Sequence, residues 1–326
     1  MDKECDCMSK FIMLIGLPGS GKSTYVTRYE SKNTNTAIVC PDDIREELTG
    51  NVNDQSHNTE VFEIAYKRIK EFLEADLDVI FDATNLNRKR RISLLKTLPK
   101  DTLKIAVVFA VAFSLCKEQN EQRSRVVPYD VMDRMYKNFQ VPWFGEGFNA
   151  IQIEGSPTYK EEIARRQIME IENITKCCEH DNPHHKETLG NHSLKAWENA
   201  HNIILRDNLD FKTATILLEA CRYHDLGKWY CKQFINSKGE HTKEAHYYNH
   251  ENVSAYIYLS TMFATPTLMN SNDYLIHILT VANLINNHML PFNNLDYLDK
   301  LKEVYDDNFC YLIEKIHECD LVATEL

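Results

Sequence analysis

The sequence predicts two domains of different class: an α/β domain with a parallel sheet, followed by an all-α domain. Up to about residue 155, short apolar runs alternate with helical patterns, and the continuous runs indicate parallel strands with helices on both faces. Beyond that point strand signals nearly vanish. The two parts also differ in charge. Residues 1–150 carry 21 Lys and Arg against 22 Asp and Glu, whereas residues 151–326 carry 16 against 26.

The elements of the first domain follow one another along the chain. Apolar runs predict strands at Phe11–Ile15, Thr36–Val39, Val79–Phe81, Lys104–Ala112 and Ala150–Ile153. Helical patterns begin at Lys22 and Ser114 and span Asp42–Leu48, His57–Ala75, Arg88–Leu98 and Tyr129–Phe139. The break at Gly155-Ser156-Pro157 ends this alternation. We therefore predict a first domain at 1–155, a linking helix within 156–178 and a second domain at 179–326.

A glycine-rich phosphate-binding motif, Gly16-Leu17-Pro18-Gly19-Ser20-Gly21-Lys22-Ser23, lies between the first strand and the first helix. In such a loop, successive backbone N–H groups surround phosphate oxygens and the helix N-terminus adds its positive dipole end. Lys22 is expected to reach the β- and γ-phosphates of ATP or another NTP, and Ser23 to bind Mg²⁺. The predicted nucleotide-binding residues are Gly19, Ser20, Gly21, Lys22, Ser23 and Thr24.

Polar residues follow the second and third strands, whose carboxyl ends should face the ligand crevice. Asp42 could accept a proton from an attacking hydroxyl, and Arg45 could hold an anionic acceptor group. Asp82 and Asn85 are predicted to contact the acceptor, and Asp82 could instead hold the water shell of the metal. The basic run that starts at Arg88 either is a solvated helix face or meets substrate phosphates.

These motifs resemble the kinase domain of phage-type polynucleotide kinases over roughly residues 9–155. The shared segments are Gly-Leu-Pro-Gly-Ser-Gly-Lys-Ser-Thr, Asp-Asp-x-Arg, Asp-Ala-Thr-Asn-Leu-Asn and Val-Pro-x-Asp-Val-Met-x-x-Met-Tyr-Lys. The resemblance implies phosphorylation of 5′-OH ends, with Asp42 as general base, Arg45 on the 3′-phosphate of the acceptor and Arg123 on a closing lid. The lid is one residue shorter than the family pattern, which leaves Arg123 and Arg125 as alternatives.

A second constellation lies in the carboxyl-terminal half, which holds all the histidines except His57. Its centre is His224-Asp225-Leu226-Gly227-Lys228. A histidine followed by an aspartate can bind metal from a helix end, with the carboxylate bridging two ions. With His192, His250, His288 and Asp320, the order and spacing resemble the HD phosphohydrolase superfamily, an all-α metal-dependent fold, over roughly 175–326.

This resemblance implies two metal sites that share Asp225. The first would use His192, His224, Asp225 and Asp320, and the second His250 and His288. Lys228 would contact the scissile phosphate, and His185 would face substrate or orient a ligand. Nitrogen and oxygen ligands admit Mn²⁺, Mg²⁺, Fe²⁺, Ni²⁺ or Co²⁺. Four further histidines are interpreted as structural: His201, His246, His277 and His317.

A chain with both sites is predicted to heal RNA ends. The kinase would phosphorylate a 5′-OH, and the HD domain would remove a 2′,3′-cyclic, 2′- or 3′-terminal phosphate. The partners expected are RNA or DNA ends, a separate RNA ligase and, in an oligomer, further copies of the chain. One alternative is a nucleoside or nucleotide kinase fused to an HD nucleotidase. Another is a kinase with a non-catalytic HD binding module.

Composition limits the classes of protein. No apolar run approaches the roughly 20 residues that span a bilayer, so we expect no membrane association. The ten cysteines lack a disulfide framework and no export signal precedes them, which predicts reduced thiols and a cytoplasmic location. The net charge of −11 disfavours bulk binding of nucleic acid over the whole surface.

Overall fold

The chain forms two compact units, each with its own buried core, in a computed structural model. The first unit comprises the chain up to Pro128 and Pro142–Glu154, and the second comprises Tyr129–Val141 and the chain after Glu154. The structure describes residues 9–155, 161–182, 187–263, 271–293 and 296–324.

The first unit is built on a five-stranded parallel sheet. Its strands are β1 (Lys10–Ile15), β2 (Thr36–Val39), β3 (Asp78–Phe81), β4 (Leu103–Phe109) and β5 (Ala150–Glu154). Their order is β2-β3-β1-β4-β5, and Phe11 in the central strand pairs with both Val79 and Lys104. Successive side chains of a strand point to opposite faces, and all those from Phe11 to Ile15 are buried. Both faces are therefore covered, and the predicted parallel α/β sheet is confirmed.

Helices connect these strands. They are α1 (Lys22–Glu30), α2 (Pro41–Thr49), α3 (Asn58–Glu74), α4 (Arg88–Leu95) and α5 (Phe113–Glu121), and a 3-10 turn spans Phe144–Glu146. Pro41 is the first helical residue of α2, where its missing N–H would have no intrahelical partner in any case. Tyr25 and Val26 of α1 pack on Ile12 and Leu14 of β1. This packing fixes the start of α1 directly beyond the end of the central strand.

The second unit is mainly helical. Its helices are α6 (Tyr129–Lys137), α7 (Glu161–Cys177), α8 (Leu189–Asp207), α9 (Phe211–Tyr223), α10 (Lys228–Cys231), α11 (His250–Met262), α12 (Asn272–Asn287), α13 (Leu290–Asn293), α14 (Tyr297–Lys302) and α15 (Asp307–Thr324). Helix α8 packs against α9 and α15, and α11 against α12. Nearly every residue of α11 is buried. A helix that is enclosed on all sides is central to its unit, so α11 forms the middle of the bundle.

The segment 129–141 packs within the second unit, although the predicted boundary at 155 assigned it to the first domain. Tyr136 makes edge-to-face ring contacts with Tyr230 and Tyr256. The Asn252 amide donates to the Lys137 carbonyl at 2.8 Å, and the Val141 N–H donates to Asn286 Oδ1 at 3.0 Å. These partners lie about a hundred residues away along the chain, so local sequence patterns carry no sign of this packing.

Two features of the second unit were not predicted from the sequence. A short antiparallel hairpin joins β6 (Gln233–Ile235) to β7 (His241–His246). Its turn is closed by the Asn236 N–H, which donates to the Glu240 carbonyl. Helix α7 coincides with the predicted linker, but it packs against α8 and α11 rather than lying apart. Among the described helices, none has the length and apolar composition needed to cross a bilayer.

Candidate active sites

The glycine-rich loop follows β1 and ends at Gly21, directly before α1. The Gly16 N–H donates to the Thr84 carbonyl at 3.1 Å, which ties the loop to the segment after β3. Gly19 has φ +75°, and a Cβ there would lie 2.2 Å from the Cys116 carbonyl oxygen. Glycine is therefore required at this position both by its backbone conformation and by the close approach of α5.

Lys22 is the first residue of α1, and its side chain folds back over the loop. Its Nζ donates to the carbonyls of Gly16 at 3.0 Å and Leu17 at 2.8 Å. Burial removes water from the ammonium and lowers the pKa of Lys22 to about 8, although the Asp82 carboxylate opposes this change. The ammonium group is thus held against the glycine-rich loop, next to the N-terminus of α1. Ser23 and Thr24 are exposed in the first helical turn beside it.

Asp42, in the first turn of α2, carries two arginine contacts. One carboxylate oxygen accepts from Arg45 Nη1, and the other accepts from Arg125 Nη1 at 2.6 Å. Arg45 is buried and donates through Nη2 to Asn58 Oδ1 at 2.9 Å. Arg125 donates through Nε to Asn53 Oδ1 at 3.1 Å. The carboxylate of Asp42 is therefore held in a fixed orientation beside two anchored guanidinium groups.

Asp82, just after β3, shares an electrostatic environment with Lys22 and Arg123. Burial raises the pKa of Asp82, the Lys22 ammonium lowers it, Asp42 raises it, and Arg123 lowers it by a smaller amount. Arg123 is exposed, and it also lowers the pKa of Lys22. Of the two lid candidates, Arg125 is paired with Asp42, whereas Arg123 is exposed and lies within electrostatic range of Lys22 and Asp82, and the choice between them for the lid stays a prediction.

Asn85 and Arg88 make contacts within the protein. Asn85 has φ +48°, and its Nδ2 donates to the Leu14 carbonyl at 2.7 Å. Arg88 Nε lies 3.3 Å from Glu146 Oε1. Further along the basic run, Arg91 is fully buried and donates twice to the Glu146 carboxylate, at 2.7 Å each. The run is thus not simply a solvated face, and the predicted substrate contacts of Asn85 and Arg88 stay predictions.

The six residues of the carboxyl-terminal half that were predicted to bind metal come together inside the second unit. All are buried, and five elements supply them. They are His192 in α8, His224 and Asp225 at the end of α9, His250 at the start of α11, His288 directly after α12, and Asp320 in α15. The groups His192-His224-Asp320 and His224-Asp225-His288 each have ligand atoms within 4.8 Å of one another.

Asp225 lies at the centre of this cluster, and its two oxygens face different histidines. Oδ2 is 3.3 Å from His224 Nε2 and 3.5 Å from His192 Nε2. Oδ1 is 3.1 Å from His250 Nε2 and 3.8 Å from His288 Nε2. The four imidazoles therefore divide into two pairs, one at each oxygen of a shared carboxylate.

Asp320 completes the Oδ2 side of the cluster. Its Oδ1 lies 2.7 Å from His192 Nε2 and 3.6 Å from His224 Nε2. The side of Asp225 that faces His192 and His224 therefore holds a second carboxylate, whereas the side that faces His250 and His288 has Asp225 alone.

Gly227 lets the segment after Asp225 lie close to α11. A Cβ at Gly227 would lie 2.6 Å from the His250 carbonyl oxygen.

Three of the histidines are oriented by backbone carbonyls. Their Nδ1 atoms lie 2.7–2.8 Å from the carbonyl oxygen three residues earlier in the chain, at Cys221 for His224, Tyr247 for His250 and Ile285 for His288. A carbonyl oxygen can only accept, so each Nδ1 carries the proton and each Nε2 offers its lone pair to the cluster. This is the arrangement that metal-binding histidines generally adopt.

The electrostatics of the cluster suit a divalent cation. Burial opposes the charged forms, but the neighbouring imidazoles and, for Asp225, the Lys228 ammonium hold the pKa of Asp225 and of Asp320 well below the usual range. Burial, together with His224 and His250, lowers the pKa of His288 to about 3. Within the described residues, His224 Nε2 is buried without a hydrogen-bond partner. Buried nitrogen and oxygen atoms that converge without enough donors fit a metal centre.

The other residues that were singled out in the carboxyl-terminal half make contacts of different kinds. Lys228 Nζ is 2.7 Å from Asp225 Oδ2, so it borders the cluster. His185 falls outside the described residues. The four histidines interpreted as structural make other contacts: His201 with the Trp197 carbonyl, His246 with Thr242, His277 with Glu219 and His317 with the Phe292 ring.

Two residues near the cluster carry no signal in the sequence pattern. His180 is buried, with its ring centroid 5.5 Å from that of His192. Glu187 Oε1 lies 3.4 Å from His192 Nδ1. With His192 they form a third group whose ligand atoms lie within 4.8 Å of one another. They precede α8 in a non-helical segment, where neither periodicity nor a motif points to them.

Comparisons with known proteins concern the amino-terminal part. Residues 11–142 match the AAA domain family. An L-seryl-tRNA(Sec) kinase from Methanococcus maripaludis is 30% identical over 136 residues, which cover 40% of this chain and 52% of that protein. The chain thus spans about half the length of this curated relative. The family match covers the glycine-rich loop and ends at residue 142, and the HD relationship of the second unit stays a prediction.

Solved structures show weaker likeness. A chain of the Pnkp1/Rnl/Hen1 RNA repair complex is 22% identical, with 41% of this chain and 44% of that chain covered and a TM-score of 0.36. A gluconokinase from Sinorhizobium meliloti is 18% identical, with 45% and 82% covered and a TM-score of 0.32. At these scores the likeness supports no conclusion about function.

Proposed function

We propose that this chain heals broken RNA ends with two enzyme activities. The first unit would transfer phosphate from ATP to a 5′-OH end, and the second would remove a 2′,3′-cyclic, 2′- or 3′-terminal phosphate. The observation that carries the second activity is the division of four histidines between the two oxygens of Asp225. Such an arrangement suits two metal ions that share one carboxylate.

In the kinase reaction, Asp42 would take the proton from the acceptor hydroxyl as its oxygen attacks the γ-phosphorus of ATP. The bond from that phosphorus to the bridging oxygen breaks, and ADP leaves. The fixed orientation of Asp42 between Arg45 and Arg125 favours this role. Lys22 would contact the phosphates, and the exposed Arg123 would stabilise the charge that develops on them. Mg²⁺ held by Ser23 would neutralise part of that charge.

In the hydrolytic reaction, His192, His224, Asp225 and Asp320 would hold one divalent ion, and His250, His288 and Asp225 a second. The ions would draw electron density from the phosphoester and make water a nucleophile at neutral pH. Lys228, at 2.7 Å from Asp225, is in reach of a phosphate bound at the cluster. It would exchange part of its pairing with Asp225 for the phosphate oxygens.

An RNA acceptor is supported by the relative from Methanococcus maripaludis, whose name states that it acts on a seryl-tRNA. The products of healing, a 5′-phosphate and a 3′-OH, are the ends that a ligase joins, so we also propose a separate RNA ligase as a partner. A nucleoside or nucleotide acceptor is the competing hypothesis, since a P-loop and lid serve small-molecule kinases equally well.

The test uses one RNA oligonucleotide with a 5′-OH and a 2′,3′-cyclic phosphate. The protein is incubated with it, ATP and each divalent metal in turn, and both ends are analysed by mass spectrometry. We expect a 5′-phosphate and, with at least one metal, loss of the cyclic phosphate. No change at the 3′ end with any metal would refute the healing function. Preference for a mononucleotide or a seryl-tRNA over the 5′-OH RNA would show that the kinase acts on a different acceptor.

A further inference from the structure

An exposed tyrosine lies on the turn that leads into the histidine and aspartate cluster. Tyr248 is the second residue of this turn, which the His250 N–H closes by donating to the Tyr247 carbonyl at 3.1 Å. The same carbonyl oxygen lies 2.8 Å from His250 Nδ1, so it holds both the backbone and the ring of His250. Consecutive Cα atoms are about 3.8 Å apart, which places the Cα of Tyr248 within about 8 Å of that of His250. The position of Tyr248 is thus tied to a proposed metal ligand.

The ring of Tyr248 lies flat against a second aromatic ring. It stacks on the imidazole of His246, with the ring centroids 5.4 Å apart and the planes 7° from parallel. His246, in β7, is itself held in place, because its Nε2 lies 3.1 Å from Thr242 Oγ1. Tyr248 is 41% exposed despite the contact with His246. Two parallel rings, of which one is open to solvent, form a surface on which a further planar ring can stack.

A cation lies beside the first residue of the same turn. Lys228 Nζ is 2.7 Å from Asp225 Oδ2 and 5.7 Å from the centroid of the Tyr247 ring. The Tyr247 hydroxyl donates to the His180 carbonyl, which anchors that ring. An ammonium group in reach of a phosphate and a flat aromatic surface therefore border one short segment. A nucleotide presents the two complementary parts, an anionic phosphate and a planar base.

We propose that Tyr248, supported by His246, binds the nucleobase at the 3′ end of an RNA strand by stacking on it. This inference rests on the proposed hydrolytic function of the cluster and adds a recognition residue to it. Every base has a flat π-face, so the stack accepts all four bases and selects a nucleotide over a phosphoester without a base. The stack is the same before and during bond cleavage, so it lowers KM and leaves kcat nearly unchanged.

A purely structural pair is the competing interpretation of the same two rings. The stack of Tyr248 on His246 would then serve only to hold the turn against β7. Loss of the Tyr248 ring would displace His250 and weaken the reaction of every substrate equally, whether or not it carries a base. Base binding predicts instead that only substrates with a 3′-terminal base are affected. A substrate that lacks this base therefore separates the two interpretations.

The test uses two RNA oligonucleotides with a 2′,3′-cyclic phosphate, one with 2-aminopurine as its 3′-terminal base and one with no base there. Full-length wild type, Y248A, Y248L and Y248F are compared with F211A, which removes a ring that is 87% exposed on α9. Quenching of 2-aminopurine fluorescence on rapid mixing reports stacking, and KM and kcat of hydrolysis are measured separately. We expect Y248A and Y248L to lose the quenching and to raise KM for the base-containing RNA about 5- to 150-fold. Y248F and F211A should resemble wild type, and the RNA without the base should react alike with all five proteins.

Each other outcome is decisive. If wild type cleaves the RNA without quenching, or Y248A leaves quenching and KM unchanged, the base-binding role is refuted while the proposed hydrolysis stands. If Y248A and Y248L raise KM equally for both RNAs, the pair is structural only and the inference is wrong. If wild type quenches but cleaves neither RNA with any metal, and Y248A abolishes the quenching, base binding stands and the proposed hydrolysis fails. If wild type neither quenches nor cleaves, both fail.

Discussion

The Arg125 guanidinium donates to the Asp42 carboxylate at 2.6 Å across 83 positions of sequence. Of the two arginines that the sequence left as alternatives for the lid, Arg125 is the one paired with Asp42. Arg125 lies on the side of the proposed general base and is anchored there by Asn53. Arg123 is exposed and influences Lys22 and Asp82, the residues next to the expected phosphates. Different kinetic roles follow for the two.

Replacing each arginine by alanine should therefore affect the kinase differently. We expect R123A to lower kcat about 10²- to 10³-fold, because a donor to the developing charge of the transferring phosphoryl group is lost. R125A should lower kcat about 10-fold, because Asp42 keeps its pairing with Arg45 but loses one of its two anchors. Steady-state phosphorylation of a 5′-OH oligonucleotide measures both effects. A larger loss with R125A than with R123A would reverse the assignment.

The two proposed activities should be separable by mutation. D42N removes the proposed proton acceptor with little change in shape, and we expect at least a 10²-fold loss of phosphorylation with hydrolysis intact. D225N removes the shared charge of the metal cluster, and we expect loss of hydrolysis with phosphorylation intact. Both end reactions are followed on the same RNA. Loss of both activities from either change, in a protein with an unaltered circular dichroism spectrum, would refute two independent sites.

Gly19 should tolerate no side chain. G19A places a Cβ 2.2 Å from the Cys116 carbonyl oxygen at a φ of +75°. We expect a loss of about 2–5 kcal/mol in the free energy of unfolding, from left-handed strain and overpacking together, with weakened ATP binding. G239A is the matched control, since Gly239 has φ +82° but nothing within 4 Å of its Cβ. Urea unfolding compares the two, and equal losses would mean that the contact with α5 is unimportant.

The buried pair of Arg91 and Glu146 should contribute strongly to the stability of the first unit. E146Q leaves the Arg91 charge enclosed without its carboxylate, and we expect a loss of about 3–5 kcal/mol in the free energy of unfolding. The exposed pair of Lys67 and Glu71 provides the comparison, where E71Q should cost no more than about 0.5 kcal/mol. Chemical denaturation followed by tryptophan fluorescence measures both. A loss below 1 kcal/mol for E146Q would mean that water reaches Arg91.

The sequence predicted the parallel sheet and the phosphate-binding loop, and it named six residues that the structure brings together around Asp225, although their binding of metal stays a prediction. The parallel sheet and the loop could be predicted because the interactions that form them are short in range. The segment from Phe11 to Ser23 combines a buried strand, a loop that requires glycine and a helix N-terminus, all decided within a few residues. The histidines and aspartates of the cluster could be named because their order and spacing resemble the HD phosphohydrolase superfamily.

Tertiary contacts decided the remaining features. The pairing of Arg91 with Glu146 spans 55 positions, and the grouping of residues 129–141 with the second unit depends on partners such as Asn286, 145 positions from Val141. The contacts of Arg125 with Asp42 and Asn53 were likewise visible only in the folded chain. Glu187 reached the cluster through the fold of a segment without periodicity. In each case a buried or half-buried polar group is stabilised by a partner that only the folded chain brings within reach.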